Sequence, residues 1–558
     1  LKAQPQFSSL VHVYAKMGHA SSQSPAQPVC AIEKCFSDMS LVSGDAAEHA
    51  LGKASVTGRY HRLPRKLAQE YRVTSKVLGS GYSGNVFVAR SIQTGDKYAV
   101  KGFKLHGVSQ GKLQELRDEA EIFLAMDHPH VARLVDVYES QHRLDLVMEC
   151  MDGGELYQRV LEKKVFSEKA AADAVWQMLL SINYLHTHQV VHRDLKLENF
   201  LYESKDSEYL KLIDFGFSKI WAPDTIMNVS CGTLSYVAPE VISKSYTSKC
   251  DIWSLGVITF VLLVGYMPFS GSEHDQILAI KEGKYEVRIH LWDKVSEEAW
   301  MFVKKCLVVN PDYRLSAEQA LNDKWILQRH GEHSNAHFDA SIADSFCKFA
   351  RASHFRRACL SVMAWSLTNQ ERAEVREAFI ELDLDHTGVI KLVDLKEVLE
   401  KKFKVENSEI QSICEAVDMN HHDFIHYSEF LAAMVSKRIY MHDDLLASTF
   451  RRFDQNNSGF ITPEDLVAVL GESLDGEDVN QMMEEVPVYT NGKISYKEFI
   501  RYLKDTPGGS KHHDVANKVI DSQLSKLPEP VRQRLSMISS SLRRFPSKRA
   551  SGEPWEIS

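Results

Sequence analysis

The chain has 558 residues, 44% hydrophobic and 25% charged. Its length points to three or more folding units, and its composition excludes collagen, wholesale disorder and low-complexity scaffolds. Nine scattered cysteines with no C-x-x-C pair argue for a reducing compartment and against a disulfide framework or zinc ribbon. The net charge of −9 is uneven: residues 371–501 hold 27 acidic against 14 basic side chains, net −13, leaving the remainder at +4. An acidic module on a near-neutral body suggests cation binding over nucleic-acid binding, with a plain solvated acidic face as the alternative. The longest apolar run, Leu255 to Phe269, is interrupted by Gly256 and Gly265. It falls short of the roughly 20 residues of a membrane span and reads as a buried helix.

In chain order, residues 1–70 carry Ser, Ala, Gln and Pro without a sustained period and are expected to be a flexible arm. From Tyr71, short β-branched runs (Val77-Leu78, Asn85 to Ala89, Lys97 to Lys101) read as strands separated by glycine-bearing turns. Gln114 to Met126 has helical spacing, and Leu134 to Met148 returns to strand character. Beyond Glu155 the stretches are mostly helical, so residues 71–326 read as two lobes, one strand-rich and one helical. Residues 327–370 form a linker and junction. Residues 371–503 repeat an acidic loop, a hydrophobic position and a helix at intervals of about 35 residues, the signature of duplicated units. A Ser- and Arg-rich tail occupies residues 504–558.

Leu78-Gly79-Ser80-Gly81-Tyr82-Ser83-Gly84-Asn85-Val86 contains G-x-G-x-x-G-x-V. Alone it serves equally a dinucleotide site or a surface turn. A dinucleotide fold would put a helix after Gly84, whereas β-branched residues follow, which favours a loop between antiparallel strands. Lys101, an ordinary edge residue in isolation, gains interest from Glu119 on the next helix, because that ion pair aims an ammonium at phosphates. His192-Arg193-Asp194-Leu195-Lys196-Leu197-Glu198-Asn199 and Asp214-Phe215-Gly216 follow. Asp194 can orient a hydroxyl, Lys196 can neutralise a transferring phosphoryl group, and Asn199 and Asp214 offer hard oxygens for magnesium. Five ordered elements at compatible spacings leave no room for coincidence.

These motifs, with Ala238-Pro239-Glu240, Asp251 to Gly256 and Arg314, make residues 71–326 resemble the protein kinase family, and Lys196 with Gly232-Thr233 its serine/threonine branch. The resemblance implies ATP binding by Leu78, Gly79, Gly81, Gly84, Val86, Ala99, Lys101 and Glu119. Glu149 and Met151 would form an adenine-binding hinge behind Met148. It also implies that Glu155 and Glu198 read basic residues before the target hydroxyl, favouring R-x-x-S/T substrates. Arg193 implies a need for an anion in the activation segment, yet Thr225 to Pro239 holds no Asp or Glu. Phosphorylation of Thr225 or Ser230 is the expected source.

The twelve-residue loop from Asp383 through Asp385, Thr387 and Gly388 to Asp394 has the alternating oxygens of a calcium site, as does Asp454, Asn456, Ser458, Gly459 to Asp465. Both end in Asp where Glu is usual, which shortens bidentate reach, and Lys391 cannot contribute at the ninth position. A second repeat through Asp418, Asn420, His422 and Glu429 has Asp423 in place of glycine and is expected to bind weakly. The fourth, around Gly492, puts Pro487 and Tyr489 at ligand positions and is expected to bind nothing.

Between the modules, Phe346, Phe349, Phe355, Cys359, Met363 and Leu367 space as one apolar helix face beside Lys348, Arg351, Arg356 and Arg357. It reads either as a packed connector or as a basic blocker of the substrate groove that the calcium module captures. The full order resembles the calcium-dependent protein kinases of plants and protists. That resemblance implies an α+β fold: a bilobal kinase followed by an all-α, calmodulin-like domain with four EF-hands. It further implies ATP, Mg2+ and Ca2+ as cofactors, protein substrates, no nucleic acid, and autoinhibition relieved without separate calmodulin. A calcium-responsive pseudokinase scaffold is the alternative, opposed by the intact Lys101, Asp194, Asn199 and Asp214. Met17-Gly18 fits a myristoylation signal if translation starts at Met17. The expected location is therefore cytoplasmic, with membrane association if Gly18 is acylated.

Overall fold

The strand-rich segment builds one six-stranded sheet. Its strands are β1 (Tyr60–His61), β2 (Tyr71–Gly81), β3 (Gly84–Ser91), β4 (Lys97–Lys104), β5 (Leu134–Glu139) and β6 (Arg143–Glu149), in the order β1-β5-β6-β4-β3-β2. The computed structural model describes residues 58–504 except 82–83, 93, 164, 214–218, 221–233, 330–339, 419–422, 436–442, 455, 457, 471–472, 475–476 and 487–491. Helix α1 (Gln110–Ala125) starts at Ser109, whose hydroxyl accepts from Lys112 N at 3.3 Å, and it packs on β5. Tyr71, Ala89, Val100, Tyr138 and Val147 pack together on the sheet.

The helical lobe centres on α2 (Glu168–Thr187) and α3 (Lys249–Val264). Every α3 residue from Cys250 to Val264 is buried, which accounts for the long apolar run without a membrane. No helix among the described residues is long and apolar enough to cross a membrane. Arg314 is buried and donates to both Glu240 oxygens at 2.5 and 2.9 Å, pinning the helical lobe around the Ala238-Pro239-Glu240 motif.

Two readings of the sequence need correction. The expected arm is already folded from residue 58: β1 adds parallel to β5, pairing Tyr60 with Val137 and His61 with Tyr138, and Arg59 is buried. The sequence alone hid this because two residues are too few to show a period. The junction is also two helices, α4 (Ala340–Ala350) and α5 (His354–Ser366), because Ser353 caps the second by accepting from Arg356 N. Phe346, Phe349, Phe355, Cys359 and Met363 are all fully buried.

Four helix–loop–helix repeats follow, opened by α6 (Asn369–Leu382), whose capping box joins Thr368 and Glu371. Their loops pair two by two through short antiparallel strands, Ile390 with Ile425 and Ile461 with Ile494. Helices α7 (Tyr427–Val435) and α8 (Asp443–Phe453) hold the junction: Phe346 meets Phe430 at 5.8 Å between ring centroids, and Phe355 meets Phe453 at 6.5 Å. The last described element is the helix Tyr496–Lys504.

Candidate functional site

The glycine loop joins two antiparallel strands, with Gly81 opposite Gly84 and Gly79 opposite Val86. No helix follows Gly84, which removes the dinucleotide alternative. Lys101 stands on β4 opposite Val86 and Leu146, and Glu119 lies half-buried on α1. Buried Ala99 and Met151 offer apolar walls beside half-buried Val86, while Leu78 is exposed at the mouth. A planar apolar heterocycle fits such walls.

Catalytic-loop geometry is set by Asp251 at the start of α3. Its two oxygens accept from His192 N and Arg193 N, both at 2.9 Å, and His186 Nε2 lies 2.9 Å from Oδ2. Burial opposes charge on Asp251, yet these partners keep its carboxyl below the ordinary value. Arg193 is thereby held at φ 69°, a left-handed conformation that a non-glycine residue adopts only when its surroundings impose it. The turn presents Asp194, whose Oδ2 accepts from Lys196 Nζ at 2.7 Å. Asn199 donates its amide N–H to Asp194 O at 2.8 Å, which leaves the amide oxygen, a hard donor of the kind divalent cations take, to face elsewhere. Asn199 O accepts from Ile213 N at 2.8 Å. Asp214 itself lies outside the described residues, as do Thr225, Ser230 and Gly18.

Glu155 and Glu198 flank Asp194 and Lys196. Desolvation raises both carboxyls above the ordinary value; Lys196 opposes this, and for Glu198 the neighbouring Glu155 and Asp194 add to the rise. Glu198 Oε2 is buried and has no hydrogen-bond partner among the described residues, as has Arg193 Nε. A buried acceptor and a buried donor in this state are suited to a cationic and an anionic group respectively.

The hinge residue Glu149 has a role the motif did not disclose. Its carboxylate turns away from the nucleotide side, 2.8 Å from Lys211 Nζ and against Arg372 of α6. Burial opposes its charge, but Lys211 and Arg372 bring the carboxyl down to about 2. Its N–H donates to Arg133 O at 3.0 Å.

This contact is one of a series that docks the four-repeat module on the kinase body. Arg376 reaches Glu203 at 2.7 Å and stacks on Tyr209, Ser428 N donates to Asp127 at 2.6 Å, and Arg452 grips Asp136 at 3.1 and 3.3 Å. Trp365, at the end of the junction, lies between the guanidinium groups of Arg59 (3.8 Å to the ring centroid) and Arg133 (4.4 Å), and Arg133 also donates to Ala364 O. The sequence carried no signal for these residues beyond isolated charges on helices.

In the first loop, Asp383 accepts from Thr387 N and Gly388 N, and in the third, Asp454 accepts likewise from Ser458 N and Gly459 N. Within the loops Thr387 Oγ1 also donates to Asp385 at 2.9 Å and Ser458 N to Asn456 Oδ1 at 2.9 Å, so the third and fifth positions lie next to each other in both. Burial and the neighbouring Asp385 push the Asp383 carboxyl up to about 8, as expected of clustered carboxylates that a cation would neutralise. Asp465 accepts from Thr462 N and Oγ1, and Asn456 Nδ2 reaches its other oxygen at 3.4 Å. In the second repeat Asp418 accepts from Asp423 N, but Asp423 takes φ 63° where glycine would be unstrained, and Glu429 accepts from His426 N. Asn420 and His422 lie outside the described residues, as do Pro487 and Tyr489. The first loop also touches the kinase: His386 O accepts from Asn183 Nδ2 at 2.6 Å, and a side chain at Gly388 would collide with Tyr184.

Comparison with known proteins agrees with this arrangement. The protein kinase domain family matches residues 72–326, and the EF-hand domain pair matches 372–435 and 443–504. The chain is 34% identical over 436 residues to calcium-dependent protein kinase 34 of Arabidopsis thaliana, spanning 77% of this chain and 83% of that one. It is 32% identical over 449 residues to calcium-dependent protein kinase 3 of Plasmodium berghei, spanning 78% and 80%. The chain therefore belongs to the calcium-dependent protein kinase family, serine/threonine protein kinases that use ATP and magnesium and are regulated by calcium through EF-hands.

Proposed function

We propose that the chain phosphorylates Ser or Thr preceded by basic residues, and that α4 and α5 block the substrate groove until calcium draws them into the position described above. The observation that carries the phosphotransfer reading is the Asp194–Lys196 pair, fixed by Asp251 next to the coupled acids Glu155 and Glu198. Bound ATP with magnesium supplies the phosphoryl group, and Asn199 and Asp214 are the residues to hold the metal. Asp194 accepts the hydrogen bond of the incoming hydroxyl and orients its oxygen, and Lys196 offsets negative charge where it accumulates. Glu198, whose Oε2 has no partner among the described residues, receives the substrate guanidinium. The basic junction suits the same acids, which supports the blocking role. Asp383, Asp385, Thr387 and Asp394, and Asp454, Asn456, Ser458 and Asp465, hold calcium, with Asp418 and Glu429 in a weaker site. The Met17-Gly18 pattern supports reversible membrane association through an acylated Gly18.

The test is phosphorylation of an R-x-x-S peptide by the pure full chain in EGTA or calcium, with and without calmodulin, beside Asp194→Asn. Calcium-stimulated activity without calmodulin, abolished in Asp194→Asn, is the expected result. Silence in every condition would favour the scaffold. Because Arg193 Nε lacks a partner among the described residues, phosphate on Thr225 or Ser230 should raise turnover. Full calcium-stimulated turnover after phosphatase treatment would sink that part.

A further inference from the structure

The two better calcium loops differ at their ninth position in a way that assigns them different work. In the third loop this is Thr462, whose N–H and hydroxyl organise the terminal carboxylate Asp465 at 3.0 and 2.9 Å. In the first loop it is Lys391, and its ammonium reaches back across the loop to Asp385 Oδ2 at 2.6 Å. The other oxygen of Asp385 accepts from Thr387 Oγ1 at 2.9 Å. Both oxygens at the third ligand position, and the hydroxyl at the fifth, are thus engaged inside the loop. The main chain of Lys391 is fixed by pairing with Phe424 in the inter-loop strand, so the side chain starts from a set point. Asp394 and Asp383 also lie within its electrostatic reach.

We propose that Lys391 is a built-in counter-cation that determines the calcium response of the first loop. Its ammonium takes the electrostatic place of calcium on Asp385, so this loop is shaped and docked on the kinase before calcium arrives. The third loop, with no cation of its own, then fills at lower calcium. The docking contacts suit a loop whose form does not wait for metal: Asn183 holds His386 O, the His386 ring meets Trp176 edge-on at 6.4 Å, and Gly388 abuts Tyr184. The Lys391–Asp385 bridge is half exposed and stabilises the fold little. Its effect on calcium is larger, because a dication entering the loop meets a fixed positive charge a few ångströms away. In a partly hydrated site that repulsion weakens binding by roughly tenfold.

This inference rests on the reading that both loops bind calcium, and calorimetric titration of the full chain with calcium separates the two. Wild type should fill the third loop first and the first loop at higher calcium, with the second repeat weaker than both. Lys391→Gln should tighten the first-loop affinity about tenfold and leave the tighter third-loop one unchanged, while Lys391→Arg, which keeps the charge, should behave as wild type. In an Asp454→Ala background, which removes the tighter site, Lys391→Gln should convert a weak site into a strong one. If calcium binds but Lys391→Gln moves neither affinity, or moves the tighter one, the proposal fails. If none of the proteins takes up calcium, the reading beneath it fails.

Discussion

Glu198 illustrates how one side chain can be tuned for a transient partner. Desolvation raises its carboxyl above the ordinary 4.5, and its buried Oε2 has no partner among the described residues. A substrate guanidinium binds the charged form, so protonation removes the attraction. As pH falls, binding is lost at a higher pH than for an ordinary glutamate. The expected outcome is a KM for an R-x-x-S peptide that rises on acidification from above pH 4.5, with kcat following a separate profile. Glu198→Gln should raise KM by about ten- to a hundredfold, in line with about 1.5–3 kcal/mol for a charge-assisted hydrogen bond, and flatten the pH dependence. Steady-state kinetics with Arg- and Ala-containing peptides checks both. Asp194, Lys196 and Asn199 were legible in the sequence because their order and spacing are dictated by one short loop. Asp251 stood in a recognisable motif, but its hold on His192 and Arg193 could be read only once α3 had crossed behind the loop.

At the scale of elements, the helix that leads into the third calcium loop is also the one that grips the sheet. Arg452 of α8 lies two residues before Asp454 and makes a two-pronged contact with Asp136 on β5, where Tyr71 OH (2.5 Å) and His61 (3.1 Å) converge on the same carboxylate. Burial opposes charge on Asp136, and Arg452 and His61 hold its carboxyl well below the usual range. Removing one member of a buried pair strands the other, at roughly 3–5 kcal/mol. Arg452→Ala is therefore expected to loosen α8, seen as faster hydrogen exchange over residues 443–453 at saturating calcium. Asp136→Asn should cost part of the same energy, and the double variant less than the sum. Equal exchange rates in wild type and Arg452→Ala would remove the contact from the docking account. The amphipathic spacing of the junction was readable, but its break at Ser353 was not, because a serine capping a new helix and one inside a long helix look alike in sequence. Strand β1 went unread for a different reason: its stability comes from Arg59 reaching Leu124 O and Leu134 O (3.0 Å) and from the β5 edge, all distant in sequence.

For the whole molecule, the order of kinase, junction and repeats could be read from motifs because each is specified locally. Their mutual arrangement could not, since it depends on pairs such as Arg372 with Glu149 that lie 223 residues apart. The charge imbalance is also better understood. The acidic module meets the kinase body through its arginines: Arg372, Arg376 and Arg452 supply the contacts to Glu149, Glu203 and Asp136. Of its carboxylates, Asp383, Asp418, Glu429, Asp454 and Asp465 are buried within the repeats.

The kinase core does not stop where the kinase motifs stop. Ile380 of α6, well inside the first EF-hand repeat, belongs to the same buried apolar cluster as Tyr184, Leu212 and Trp253. A chimera that grafts another protein's sensor after residue 370 would leave a gap in that cluster unless the replacement presents an apolar side chain at the same spot. Sensor and enzyme in this chain are therefore constrained to change together, and any exchange of parts must keep Ile380 with the kinase.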